Sequence, residues 1–254
     1  MRRARYWPAF LAAASISLLV GCGVRGPVPS RVIREADYTG TIRVACVGNS
    51  ITYGEKIPNR EKQSYPAQLG RLLGEKWEVR NFGVTGATLL RKGNTPYWRE
   101  NAFHLAQRFQ PHVVILMLGT NDTKPQNWRH AAAFVDDYVE MIRIFARLES
   151  RPLIWICYPV PAFSGRSGIR DSIINPKVLG KIDRISAKTG FPIIDLYKPL
   201  SDKPRLFPDK IHPNAAGARK MAEIIYTALT GRTAAATVDH QPASLDRSGA
   251  SASL

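Results

Sequence analysis

The chain has 254 residues, 44% of them hydrophobic and 22% charged. That composition excludes a disordered or fibrous chain, and the length suits one domain of roughly 200 residues with extensions. Lys and Arg number 36 against 20 Asp and Glu, a formal net charge of +16, so nucleic acid, an anionic membrane surface and an acidic substrate are the candidate partners. Three cysteines are too few for a disulfide framework and lack metal-site spacing.

Arg2, Arg3 and Arg5 precede an apolar run from Ala9 to Val20. Twelve helical residues rise about 18 Å, short of a hydrocarbon core of about 30 Å, so the segment reads as a secretory signal. It ends in Leu19-Val20-Gly21-Cys22, which is similar to the bacterial lipobox, whose cysteine is acylated after cleavage. Residues 1–21 are therefore read as a lipoprotein signal peptide and Cys22 as the lipidation site. The chain is placed in a bacterial cell envelope, facing periplasm or exterior. Residues 22–40, with Pro27 and Pro29 and little apolar periodicity, read as a tether. Residues 232–254, rich in Ala, Ser and Thr, read as a disordered tail, which leaves 41–231 as the folded domain. Three arginines fall in 1–21, three in the tether and two in the tail, so 28 basic and 16 acidic residues, net +12, stay on the domain.

Within the domain, Ile42–Val47, His112–Leu118, Leu153–Tyr158 and Pro192–Leu196 are short apolar runs, and Trp77–Phe82 is a weaker one. Continuous rather than alternating apolar strands imply burial on both faces. Cys46 and Cys157 lie inside two of these runs and read as buried hydrophobes. Between the runs come helical patterns. Ser64 is placed to cap a helix through Tyr65, Leu69, Leu72 and Leu73 that Gly74 ends. Ala131, Val135, Tyr138, Ile142 and Phe145 share a face. A further helix lies between Asn175 and Lys188. The last carries Ala218, Met221, Ile225 and Leu229 on one face, with Pro213 suited to its first turn. Alternating strands and helices give an α/β fold, a parallel sheet with helices on both faces, whose sites lie at the carboxyl ends of strands.

Each strand end is polar. Gly48-Asn49-Ser50-Ile51-Thr52 follows the first, Asn81-Phe82-Gly83-Val84-Thr85-Gly86 the second, Gly119-Thr120-Asn121-Asp122 the third, and Asp209-Lys210-Ile211-His212-Pro213 precedes the last helix. Small polar residues suit any turn. Together and in this order they resemble the four blocks of the SGNH (GDSL) hydrolases, and the stretch from Tyr65 through Asn121-Asp122 to Gln126-Asn127-Trp128 looks most like the carbohydrate acetylesterases among them. The resemblance spans about Ile42 to Leu229. It implies a three-layer flavodoxin-like fold with five parallel strands, and ester hydrolysis with no cofactor and no metal.

A serine hydroxyl needs a base to attack at neutral pH. The resemblance makes Ser50 the nucleophile, His212 the base and Asp209 the acid that orients it; Asp209 lies three residues before His212, within one turn. It assigns the oxyanion donors to the Ser50 and Gly86 N–H groups and the Asn121 amide. One position departs from the family. Its first block usually reads Gly-Asp-Ser, and here Asn49 replaces the acid; Asn can make similar turn hydrogen bonds without the charge. His104, His112, His130 and His240 have no carboxylate at useful spacing and read as structural or exposed. Asp122 reads as a loop brace and Asp195 as a turn residue. Tyr65, Tyr97, Trp98 and Trp128 are either cleft walls or core.

The expected activity is that of a lipid-anchored serine esterase acting on O-acetyl groups of carbohydrates. Two alternatives stay open: a lysophospholipase or thioesterase, and a non-catalytic envelope protein that binds polyanions. Anionic envelope polymers are expected partners for the basic surface. Nucleic acid is not, since no recognisable nucleic-acid module accompanies the charge.

Overall fold

The computed structural model describes residues 32–163 and 166–234; Cys22, His240, the signal segment and residues 235–254 lie outside them. Five strands form one sheet: β1 (Ile42–Gly48), β2 (Trp77–Gly83), β3 (Val113–Met117), β4 (Leu153–Cys157) and β5 (Ile193–Ile194). All pairs are parallel, in the order β2-β1-β3-β4-β5. The helices are α1 (Ser50–Tyr53), α2 (Arg60–Gln63), α3 (Tyr65–Leu73), α4 (Asn101–Arg108), α5 (Pro125–Trp128), α6 (Phe134–Ala146), α7 (Asp171–Ile173), α8 (Leu179–Thr189) and α9 (Ala215–Thr230).

Alternation along each strand sorts the core into two layers. Val44, Cys46, Ile115, Met117 and Trp155 pack with Leu69 of α3 and Met221, Ile225 and Leu229 of α9. Ala45, Val47, Val114, Leu116 and Ile156 pack on the other face with Phe103 of α4, Tyr138 and Ile142 of α6 and Ile182 of α8. This is the three-layer architecture expected of uninterrupted apolar strands buried on both faces. Cys46 and Cys157 are fully buried and unpaired, both in the core layer that α3 and α9 cover. Desolvation pushes the Cys46 thiol up to about 12, so neither ionises readily.

Several expected boundaries move. The run at Pro192–Leu196 yields only Ile193–Ile194 as strand. Pro192 has no N–H for the ladder, and the Asp195 carboxylate accepts from the N–H of Tyr197 and Lys198, which turns the chain. Ser64 sits at the N-cap of α3, but its side chain makes no capping bond; Pro66 removes one of the N–H groups that a cap serves. Pro213 lies outside the first turn of α9. Asn214 caps that helix instead, its side chain accepting from Gly217 N–H. Residues 32–40, read as part of the tether, pack on the domain: Ile33 is buried and its N–H donates to the Leu229 carbonyl, Trp77 donates to Glu35, and Tyr38 lies against His112. A single buried isoleucine without periodicity leaves no pattern in the sequence.

Two glycines test this packing in opposite directions. A Cβ at Gly83 would lie 2.2 Å from the backbone nitrogen of Tyr53, whereas one at Gly70, inside α3, would meet Val79 at 3.6 Å. Gly83→Ala is expected to cost on the order of 1–3 kcal/mol through overpacking. Gly70→Ala is expected to stabilise by about 0.5–1 kcal/mol through helix propensity. Urea unfolding of the two variants checks both signs.

Candidate active site

In this strand order the chain runs outward in opposite directions from the gap between β1 and β3, the place where α/β sheets open a crevice at their carboxyl edge. Ser50 follows β1 and Asn121 follows β3, so the two stand on either side of it.

Ser50 is the first residue of α1, directly after the strand. Asn49 is its N-cap: the Oδ1 atom accepts from Ile51 N–H at 3.0 Å, with Asn49 fully buried. An aspartate could accept the same bond but would carry a charge into that buried position. The amide avoids that cost, although its Nδ2 has no partner among the described residues. Asn81 braces the far end of α1 by donating to the carbonyl of Thr52.

His212 reaches this turn from the segment before α9. Its Nε2 lies 3.0 Å from Ser50 Oγ, and its Nδ1 lies 2.7 Å from Asp209 Oδ2. Asp209 Oδ1 accepts from the backbone N–H of Ile211 and His212. Lys210, between them, has a φ of 73°, which folds the three-residue spacing into one turn. Burial works to raise the Asp209 carboxyl. The hydrogen bond from the imidazole and the two backbone donors outweigh it, leaving the group below the ordinary carboxylate value. An ionised carboxylate can only accept, so Nδ1 carries the proton and Nε2 offers its lone pair to the Ser50 hydroxyl. The three side chains thus form one hydrogen-bonded chain from carboxylate to hydroxyl.

Gly86 has a φ of 79°. A Cβ there would meet only Thr95 Oγ1, at 4.0 Å, so the backbone angle and not crowding calls for glycine. Asn121, 3% exposed, donates from Nδ2 to the Ala87 carbonyl at 3.1 Å. That uses one of its two amide hydrogens and ties it to the residue after Gly86. The predicted site residues of the domain are thereby gathered at one edge of the sheet.

Other assignments resolve on packing. Tyr65 and Tyr97 are core: both are buried, with hydroxyls bonded to Thr52 and to the Phe82 carbonyl. Trp98 and Trp128 remain half-buried; Trp98 donates to the Leu89 carbonyl, and Trp128 rests on Phe134. His112 accepts from Arg43 N–H, a structural role. Glu55, after α1, carried no sequence signal; it accepts from the hydroxyl of Thr85, next to Gly86. A cleft of about 430 Å³ lined by Ile33, Leu72, Tyr226 and Arg232 lies at the far end of α9 from His212, away from this chemistry.

Residues 46–220 match the GDSL-like Lipase/Acylhydrolase family. The chain belongs to that family. It is 41% identical over 206 residues to an acetylxylan esterase of Xylanibacter ruminicola, a match covering 74% of this chain and 43% of that protein. The chain thus spans less than half the length of that relative. Among solved structures, a lipase/acylhydrolase from Enterococcus faecalis is similar with a TM-score of 0.60 at 21% identity, covering 76% of this chain and 97% of the other. A carbohydrate acetylesterase from Sinorhizobium meliloti is similar with a TM-score of 0.56 at 19% identity, covering 73% and 97%. These two support the fold.

The cap at Asn49 gives the site a measurable weak point. Asn49→Ala is expected to cost about 1 kcal/mol, the usual worth of a side-chain cap, and to lower turnover more than substrate binding, since it frees the turn that aims Ser50. Chemical denaturation together with steady-state kinetics checks both.

Proposed function

We propose that the protein is a serine esterase that removes acetyl groups from carbohydrates, through an acyl-enzyme formed on Ser50. The observation that carries this reading is the line Asp209–His212–Ser50 beside Gly86 and Asn121. His212 Nε2 takes the hydroxyl proton as Ser50 Oγ bonds to the ester carbonyl carbon. Asp209 holds the tautomer and stabilises the imidazolium. The carbonyl oxygen, now an oxyanion, is received by the Ser50 and Gly86 N–H groups and the free amide hydrogen of Asn121. The tetrahedral adduct collapses as His212 returns the proton to the departing sugar oxygen. Water then attacks the acetyl-serine with His212 again as base, releasing acetate and restoring the hydroxyl.

The acetylated carbohydrate is favoured because the relative at 41% identity is an acetylxylan esterase. Acetylated xylan is accordingly the first polymer to try. Ser50→Ala is expected to abolish hydrolysis of p-nitrophenyl acetate, and Asp209→Asn to lower kcat by roughly 10³–10⁴-fold. Retention of the parent rate by Ser50→Ala removes the mechanism; a clear preference for long acyl chains over acetate esters turns the substrate reading toward a lysophospholipase or thioesterase.

We also propose that lipid on Cys22 anchors the chain in the cell envelope, on the strength of the tetrad Leu19-Val20-Gly21-Cys22. The described chain begins next to Ile33, which bonds to Leu229 near the end of α9, and α9 is 16 residues long. At 1.5 Å per residue this separates Ile33 from the His212 end of the helix by about 24 Å. Anionic envelope polymers would meet the basic domain surface. Fractionation of cells expressing the full chain is expected to place it with membranes and to release it on Cys22→Ser; a variant that stays membrane-bound counts against the anchor.

A further inference from the structure

Among the described residues Asp122 is the one carboxylate with a fully buried side chain. It directly follows Asn121, yet its hydrogen bonds go elsewhere. Oδ2 accepts from Leu89 N–H at 3.0 Å and Oδ1 from Leu90 N–H at 2.8 Å. Burying an ionised carboxylate costs several kcal/mol unless its lone pairs are well used, so the position needs a reason beyond closing a turn.

What the carboxylate holds is the segment that carries Gly86, three residues before Leu89. That segment is pinned at two other places from the same side. Asn121 donates to the Ala87 carbonyl, and Asn127 exchanges hydrogen bonds with Asn94, whose N–H also reaches Asn127 Oδ1. The two donors outside Ser50 that the proposed mechanism uses, Gly86 N–H and the Asn121 amide, therefore sit on segments whose spacing is set by this clamp. Asp122 contributes the buried charge to it, and the half-buried Asp137 of α6 adds a second carboxylate, on the Arg91 N–H.

We propose that ionised Asp122 is the positioning residue of the oxyanion hole. By gripping two successive N–H groups of the Gly86 segment it fixes the distance between the Gly86 N–H and the Asn121 amide, and its protonation releases that grip and slows turnover. This rests on the mechanism proposed above. A protonated carboxyl presents an O–H to one of the two N–H donors, so one bond of the pair is lost. Burial raises the group to about 6, against the pull of the Leu90, Leu89 and Asp122 backbone N–H groups. The ionisable neighbours are on α6. Asp137 adds repulsion, and Tyr138, also affected by the Asp122 charge, donates to the Leu116 carbonyl. Arg91, the charged residue beside Leu90, is engaged with Asp137. The sign matters. Because the folded value lies above the ordinary carboxylate value, the folded state takes up this proton first, so acidification through pH 6 does not destabilise the fold on account of Asp122. Turnover is expected to fall where the melting temperature, as far as this group is concerned, does not.

Two measurements decide it. In kcat–pH profiles with p-nitrophenyl acetate, the parent protein is expected to lose activity on the acid side with a slope approaching two, one of the protons belonging to Asp122. Asp122→Asn is expected to lower kcat at the optimum by on the order of 10- to 100-fold, with KM held within about two-fold, and to reduce the acid slope to one. A folded variant with parent kcat, or one that keeps the slope of two, overturns the proposal. The second measurement needs neither turnover nor the variant. In a His212→Ala protein, where no change at the imidazole can contribute, the amide resonances of Leu89, Leu90 and Gly86 are followed by NMR as pH falls. All three are expected to move with one midpoint near pH 6. Movement of Leu89 and Leu90 with Gly86 unmoved makes Asp122 a local brace and ends the proposal. Loss of the triad reading would show separately, as full activity of Ser50→Ala with the amide titration unchanged.

Discussion

The contact between Ser50 and His212 joins residues 162 positions apart, so it depends on how distant elements of the domain are placed. A hydrogen bond of this kind tolerates only a few tenths of an ångström, yet its partners stand on separate segments. What holds them is the parallel sheet. Parallel strands send every following loop to one edge, and here β1 delivers Ser50, β2 delivers Gly86 and β3 delivers Asn121 to that edge. The fourth segment arrives by a different route, through the packing of α9 against α3 and the sheet, where Met221, Ile225 and Leu229 fix the helix whose capped start lies two residues after His212.

This division explains why the polar residues around the site are so heavily braced. Asn81, Asn121, Asp122 and Asn127 are engaged with backbone groups of neighbouring segments, and Asn49 with its own turn. Each bond is worth only about 1 kcal/mol net, but each buried polar atom left unpaired would cost more. Their shared effect is to make the relative placement of the three strand-end loops nearly rigid. The oxyanion hole proposed for this site depends on such preorganisation, because its donors must already point at the developing charge.

Much of this was legible in the chain. The three-residue step from Asp209 to His212, the serine after an apolar strand and the buried character of Cys46 and Cys157 follow from spacing and local composition, and the structure places them as read. The element order also held, since strand burial and helix periodicity are local patterns. The departures have specific causes. Pro213 looked like a helix start, but Asn214 had the side chain that could accept from Gly217. Ile33 looked like tether, because its burial comes from α9, nearly two hundred residues away. Tyr65 and Tyr97 looked as much like cleft walls as core; their hydroxyls found partners on other elements, which no local pattern records.

The sequence by itself therefore determined the alternation of strands and helices, the family and the chemical types available at each strand end, because those are set by residue identity and short-range spacing. Tertiary structure alone decided which of those groups meet: that Asp209 is ionised and aims Nε2 of His212 at Ser50, that Asn121 spends one amide hydrogen on Ala87, and that Asp122 grips the Gly86 segment. Each of these depends on hydrogen bonds between segments distant in the chain and on exclusion of water from the groups that form them, and neither exists until the two layers of the core have closed on the sheet.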